Sequence, residues 1–244
     1  MAHQALPPPV LPPIARAALL LDLDGTLLDI APTPDAVVVP LDLIASLRAL
    51  RARLGGALAV VSGRPVEQVE ALLPDAAQAI AGEHGGAIRH APGEPLDRVD
   101  LPTPPEAWFA AAARIAAAHP GALLECKANG FVLHYRAVPP LGPALGAAMA
   151  ALVEDSDRFV MVPARKAWEL RPRGADKGTA VDAVMRRAPF AGRLPIFIGD
   201  DVTDEDGIAA ARRLGGVGLR VADAFGTPAG VRAWLHAAAS RGTW

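Results

Sequence analysis

Ala17-Ala-Leu-Leu-Leu-Asp22-Leu-Asp24-Gly25-Thr26-Leu27-Leu28 sets the fold class of this chain. The five apolar residues 17–21, too few for a helix and followed at once by acid, read as a strand buried on both faces. Gly25 permits a sharp turn immediately after the two carboxylates. Working outward, Leu43, Ile44, Leu47, Leu50 and Leu54 recur at helical spacing, and Gly55-Gly56 stops the helix. Ala57-Leu-Ala-Val-Val61 predicts a second buried strand, followed by Ser62-Gly63-Arg64-Pro65 and a helix to Leu73. A short third strand at 79–81 runs into Gly82-Glu83-His84-Gly85-Gly86. Strand, helix, strand, helix, strand implies an α/β fold, a Rossmann-like parallel-sheet core with right-handed crossovers.

The middle of the chain has another texture. An alanine-rich helix at about 104–118 precedes Leu123-Leu-Glu-Cys-Lys-Ala, then Asn129-Gly130, then Phe131-Val-Leu-His-Tyr-Arg136. Asn-Gly between two strand-like runs predicts a hairpin whose two turn residues both take positive φ. A second helix at about 141–153 leads to Phe159-Val-Met-Val and Ala167-Trp-Glu-Leu. These elements read as a smaller α+β unit inserted into the core. The parallel pattern then resumes: Leu194-Pro-Ile-Phe-Ile198 is a buried strand ending at Gly199-Asp200-Asp201-Val-Thr-Asp204-Glu205-Asp206. A helix to about 213, a strand at 216–221 and a terminal helix from about 227 follow. The expected organisation is a proline-rich extended tail (1–13), a core (14–98 and 173–244) and an α+β insert (99–172).

Composition narrows the function classes. Of 244 residues, 52% are hydrophobic and 20% charged, which is globular rather than disordered. A formal net charge of −2 with no basic block gives no footing for nucleic acid. The apolar run at 17–21 is far shorter than the ~20 residues that span a membrane. The prolines of the N-terminal stretch do not suit the apolar helix of a signal peptide. One cysteine, Cys126, forms no intrachain disulfide and is compatible with a reducing cytosol, so a cytoplasmic location is expected.

Three polar clusters sit where apolar strands end: Asp22-x-Asp24, Ser62-x-Arg64 and Asp200-Asp201-x-x-Asp204. In an open α/β sheet ligands gather at the carboxyl ends of the strands, so the clusters are expected to converge. Converging carboxylates repel one another unless a cation joins them, and hard oxygen ligands suit Mg²⁺. Residues two apart in extended chain point the same way, so Asp22 and Asp24 can face one phosphorus. One carboxylate would attack; the other would give a proton to the leaving oxygen and later activate water. Taken singly, each motif has a plainer reading. Asp-x-Asp also suits a solvated helix-capping loop, Ser62 an N-cap of the helix opening at Pro65, and Lys177 an exposed first turn.

Leu21-Asp-Leu-Asp-Gly-Thr-Leu27 resembles the first motif of the haloacid dehalogenase superfamily of phosphotransferases, which makes Asp22 the nucleophile and Asp24 the general acid/base. Ser62 matches the second motif and would hold the phosphoryl group. Lys177 in Asp176-Lys177-Gly178 matches the third, and Gly199-Asp200-Asp201-Val-Thr-Asp204 the acidic fourth. The resemblance implies Mg²⁺ on Asp22, Asp200 and the Asp24 carbonyl, with Asp201 and Asp204 behind them and Asp204 orienting metal and lysine. It also implies that the insert is a cap on a hydrolase core. Gly82-Glu83-His84-Gly85, Glu125-Cys-Lys127 with His134-Tyr-Arg136, and Trp168-Glu169-Leu-Arg-Pro172 look like trehalose-6-phosphate phosphatases, over about residues 17–222. That likeness implies a small sugar phosphate as partner, met by Gly25, Arg64, Glu83, His84, Lys127, His134, Arg136 and Glu169. Glu125, Lys127 and His134 also fit the solvated face of a hairpin. Two alternatives remain open: a related phosphatase for sucrose phosphate or mannosyl phosphoglycerate, and a non-catalytic sugar-phosphate sensor. Oligomeric state is not readable from the sequence.

Overall fold

The computed structural model describes residues 10–33, 36–127, 129–154, 156–164 and 166–244; the first nine residues of the expected tail lie outside that set. The chain divides into two compact units. One comprises Met1–Arg98, Asp176–Asp200 and Asp204–Trp244; the other comprises Val99–Ala175 and Asp201–Thr203.

The larger unit is built on β1 (Ala17–Leu21), all five residues of which are buried. Burying a leucine side chain contributes roughly 1.5–3 kcal/mol, and Leu19, Leu20 and Leu21 are all fully buried. Helix α1 (Leu43–Arg53) leads to β2 (Leu58–Val61), and α2 (Val66–Leu72) to β3 (Ala79–Gly82). Two short strands follow, β4 (Ala87–Arg89) and β5 (Asp97–Arg98).

The smaller unit runs α3 (Glu106–Ala118), β6 (Leu123–Lys127), β7 (Gly130–His134), α4 (Gly142–Ala150), β8 (Phe159–Ala164) and β9 (Ala167–Pro172). The chain then returns to the larger unit with α5 (Lys177–Met185), β10 (Leu194–Gly199), α6 (Glu205–Arg213), β11 (Val217–Arg220), the short α7 (Val221–Ala224) and α8 (Pro228–Arg241).

Among the described residues the large sheet has the order β11-β10-β1-β2-β3-β4-β5. Strands β11 to β3 pair in parallel, whereas β4 and β5 add antiparallel. The parallel part matches the sequence reading. The antiparallel edge was not anticipated, because three-residue and two-residue strands are too short to show a period of two. From β1 the chain crosses to β2 on one side, and from β10 to β11 on the other. The boundary between β1 and β10 is therefore the topological switch point, where α/β sheets open a crevice at the strand ends.

The second sheet is antiparallel, in the order β6-β7-β9-β8. One face carries Phe131, Leu133 and Leu170 into a cluster with Ala112, Leu145 and Met149 of α3 and α4. The Asn-Gly turn expectation needs correction. Lys127 pairs with Gly130, which is the first residue of β7 rather than a turn residue. Ala128 lies outside the described residues. Gly130 is needed for close approach rather than for positive φ: a Cβ there would stand 2.1 Å from the Leu170 carbonyl oxygen.

Candidate active site

Asp22 follows the last residue of β1, with its backbone N–H on the Ile198 carbonyl of β10 at 2.9 Å. The switch point thus holds it. Only 4% of the residue is exposed. Its Oδ1 accepts a hydrogen bond from Lys177 Nζ at 2.6 Å, while Oδ2 is buried with no hydrogen-bond partner among the described residues. Burial raises the Asp22 pKa well above the ordinary carboxylate range, and repulsion from Asp204 adds to it; Lys177 pulls the other way.

Lys177 opens α5, an unfavourable end of a helix for a cation. The local sequence forces the start there. Asp176 is the N-cap, its Oδ1 accepting from Thr179 N at 2.7 Å, while Asp176 N donates to Thr179 Oγ1 at 3.1 Å. Burial acts to lower the Lys177 pKa, but the charges of Asp22 and Asp204 and the hydrogen bonds to them outweigh it. The ammonium is held charged above its ordinary range. Asp204 is fully buried and bridges two parts of the site. Its Oδ1 accepts from Lys177 Nζ at 2.6 Å and its Oδ2 from Asp200 N at 3.0 Å.

Asp22, Asp200 and Asp204 each present an oxygen within 4.8 Å of the others. Three acids with one lysine leave excess negative charge, and an all-oxygen set of this kind fits a hard divalent cation. Gly25 belongs to the same construction. At φ +88° it takes the left-handed region, and a Cβ would fall 2.2 Å from Asp200 Oδ2. The backbone after Asp24 and the Asp200 carboxylate therefore pack against each other directly. Asp201 lies on the 201–203 segment, where its Oδ1 accepts from Val202 N at 2.7 Å.

Ser62 leaves β2, is 1% exposed, and donates its backbone N–H to Ala81 O at 2.8 Å. Its Oγ accepts from Arg64 N at 3.1 Å, leaving the hydroxyl proton to be aimed elsewhere. The N-cap of α2 is Pro65, with no side-chain cap, so Ser62 does not serve that helix. The Arg64 guanidinium rests on the Asp24 carboxylate. Glu83 and His84 take consecutive left-handed conformations, at φ 54° and 55°. Their N–H groups donate to Arg64 O and Ser62 O, both at 3.0 Å, and the His84 ring packs over Gly63. Glu83 also pairs with Arg98 at 3.2 Å.

In the smaller unit Lys127, Glu125, His134 and Glu169 share the sheet face opposite its apolar cluster, as the alternation along β6, β7 and β9 requires. Lys127 Nζ reaches Glu169 Oε1 at 2.7 Å across β7, and Glu169 is 4% exposed. His134 Nε2 lies 2.8 Å from Glu125 Oε2; this hydrogen bond, helped by Lys127, holds the Glu125 pKa below the ordinary range despite partial burial. Arg136 is exposed in the turn after β7.

Residues 20–226 match the sequence pattern of the trehalose-phosphatase family. This chain belongs to that family. It is 38% identical over 228 residues to the trehalose-6-phosphate phosphatase of Escherichia coli K12, covering 90% of this chain and 81% of that one. It is 40% identical over 205 residues to a probable trehalose-phosphate phosphatase of Sinorhizobium fredii, covering 84% and 77%. In fold it is similar to the C-terminal domain of the C. albicans trehalose-6-phosphate phosphatase, with a TM-score of 0.79 at 19% identity over 93% of this chain and 92% of that one. The fold class is thus that of haloacid dehalogenase-type trehalose-phosphatases.

Within this trehalose-phosphatase chain two relationships escaped the sequence reading. One is the Arg64–Asp24 pair, for which residues 40 apart offer no local signal. The other is the capping box that fixes Lys177; Asp176-x-x-Thr179 ahead of an apolar run carried that signal. No helix among the described residues is long and apolar enough to cross a membrane.

Proposed function

We propose that this chain hydrolyses trehalose 6-phosphate to trehalose and phosphate through an aspartyl-phosphate at Asp22. The observation that carries the reading is the division of labour on one carboxylate: Oδ1 is pinned by Lys177 while Oδ2 is buried and has no hydrogen-bond partner among the described residues. An oxygen so presented is dry, oriented and available to attack phosphorus. Membership of the trehalose-phosphatase family supports the substrate.

In this reading Oδ2 forms a bond to phosphorus as the bond from phosphorus to the sugar oxygen breaks, and Asp24 gives that oxygen a proton. Asp24 then takes a proton from water, whose oxygen displaces Asp22 and releases phosphate. Ser62 and Lys177 donate to phosphoryl oxygens and carry no covalent chemistry. Asp22, Asp200 and the Asp24 carbonyl would hold Mg²⁺, which when bound supplies charge neutralisation at the phosphoryl oxygens. Asp204 orients Lys177, with Asp201 alongside. Residues 99–172 serve as the sugar-selecting cap, with Lys127, Glu169, His134 and Arg136 meeting hydroxyls. Gly25, Glu83 and His84 line the phosphate end, on the core of residues 14–98 and 173–244. The setting is cytoplasmic, and the partner is a small sugar phosphate.

The test is rapid acid quench of the Mg²⁺-loaded enzyme with radiolabelled trehalose 6-phosphate. A hydroxylamine-sensitive phosphoryl label on Asp22, lost in Asp22→Asn, is the expected result. Full turnover in Asp22→Asn would remove the covalent mechanism.

A further inference from the structure

Both oxygens of the Asp24 carboxylate are engaged by one side chain. Arg64 Nε lies 2.7 Å from Oδ2, and Arg64 Nη2 lies 2.7 Å from Oδ1. Two parallel N–H···O bonds of this kind fix a carboxylate in its plane, which a lysine ammonium does not do. We propose that Arg64 is the positioning residue for Asp24, aiming the acid/base for its proton transfers rather than gripping the substrate. The inference rests on the phosphatase reading above.

The backbone around Arg64 is fixed at both ends. Its N–H donates to Ser62 Oγ, and its carbonyl accepts from Glu83 N. A guanidinium rooted there transmits the position of the Ser62 loop to Asp24, across the β1–β2 boundary. Exposure differs between the partners: the Arg64 side chain is 14% accessible and that of Asp24 32%. The acid thus keeps the more open edge, while the arginine supports it from within. An aspartate on the bend after β1 would otherwise sample several rotamers, few of which point at a leaving oxygen. When Asp24 carries the proton, one of the two bonds yields to that O–H, and the other keeps the side chain aimed.

Leaving-group chemistry separates positioning from gripping. Trehalose leaves through an alkoxide oxygen that needs a proton; p-nitrophenolate leaves without one. The experiment measures alcohol release in the first turnover of the Mg²⁺-loaded enzyme, from trehalose 6-phosphate and from p-nitrophenyl phosphate. It compares the unaltered chain with Arg64→Ala, Arg64→Lys, Asp24→Asn and the Asp24→Asn/Arg64→Ala double variant. Arg64→Ala should slow trehalose release at least about tenfold more than nitrophenol release, with KM for trehalose 6-phosphate within about threefold. Arg64→Lys, which keeps the charge but not the fork and guards against a folding defect, should fall between. The double variant should be no slower than Asp24→Asn alone, because both changes remove one function.

Equal losses on both substrates would overturn the inference and place Arg64 on the phosphoryl group. A rise in KM at an unchanged first-turnover rate would overturn it too, placing Arg64 on the sugar. Losses that multiply in the double variant would likewise refute it. An unaltered chain inactive on both esters overturns this inference and the phosphatase reading together; an active one showing any of these outcomes overturns this inference alone.

Discussion

Lys177 Nζ lies 2.6 Å from Asp22 Oδ1, with both side chains almost wholly out of water. The same ammonium is 2.6 Å from Asp204 Oδ1. One buried cation therefore balances two buried acids, and the pKa directions agree: Lys177 is held charged, while burial and Asp204 push Asp22 toward its neutral form. In the proposed mechanism, activity and stability are coupled through this cluster.

Lys177→Met should be strongly destabilising. Asp22 and Asp204 would face each other without a counter-charge, a situation that costs about 3–5 kcal/mol. Urea unfolding of the divalent-free protein at neutral pH measures it. A loss below about 1 kcal/mol would show that the cluster relaxes when the lysine goes.

Asp22→Asn should part stability from activity. Turnover of trehalose 6-phosphate should fall on the order of 10⁴-fold or more, yet the divalent-free variant should melt no lower than the unaltered protein. Lys177 retains Asp204 as its partner, and the amide removes a buried charge. The folded-state pKa of Asp22 is raised, so its stabilising contribution is complete below the unfolded value of about 3.9 and fades as pH rises above it. The advantage of Asp22→Asn should accordingly grow with pH over that window. Melting curves from acid to neutral pH test it; an advantage that shrinks would reverse the sign.

Divalent cation should stabilise the folded chain and be required for turnover. Binding to the native state alone adds about 2.7 kcal/mol at a concentration 100 times Kd. Adding Mg²⁺ should therefore raise the melting temperature, and chelation should abolish phosphate release. Asp200→Asn should shift both responses to higher cation concentration. Melting unaffected by cation in the unaltered protein would remove the acidic cluster as a metal site.

Glu125 predicts an acid-side effect in the smaller unit. Its pKa is lowered, chiefly by the His134 hydrogen bond, so its contribution is present above the ordinary glutamate value of about 4.3 and lost as pH falls through the folded value. The side chain is 40% exposed, which makes the effect small. Nuclear magnetic resonance titration of the Glu125 carboxyl should show the depressed midpoint, and His134→Ala should return it toward normal. A midpoint unchanged by His134→Ala would discard the assigned cause.

The placement of the candidate site was legible because it sits where pattern changes abruptly. Asp22, Ser62 and Asp200 each end a run of buried apolar residues, and a parallel sheet brings such ends together. Less visible were relationships that depend on side-chain direction. The Arg64 fork on Asp24 and the left-handed pair Glu83-His84 leave no periodic trace, since the first joins residues 40 apart and the second depends on the backbone bend after β3. Gly130 was read as a turn residue because Asn-Gly is a strong local signal, whereas the neighbouring β9 backbone needs it in the strand. A tertiary requirement overrode the local one. The polar face of β6, β7 and β9 followed from alternation, but the Lys127–Glu169 bond across β7 needed the register.

The most direct test of the central claim is phosphate release with Mg²⁺ from trehalose 6-phosphate, sucrose 6-phosphate, glucose 6-phosphate and p-nitrophenyl phosphate, compared as kcat/KM. Clear preference for trehalose 6-phosphate is the expected result. Rates spread evenly over the panel, or highest on another sugar, would contradict it.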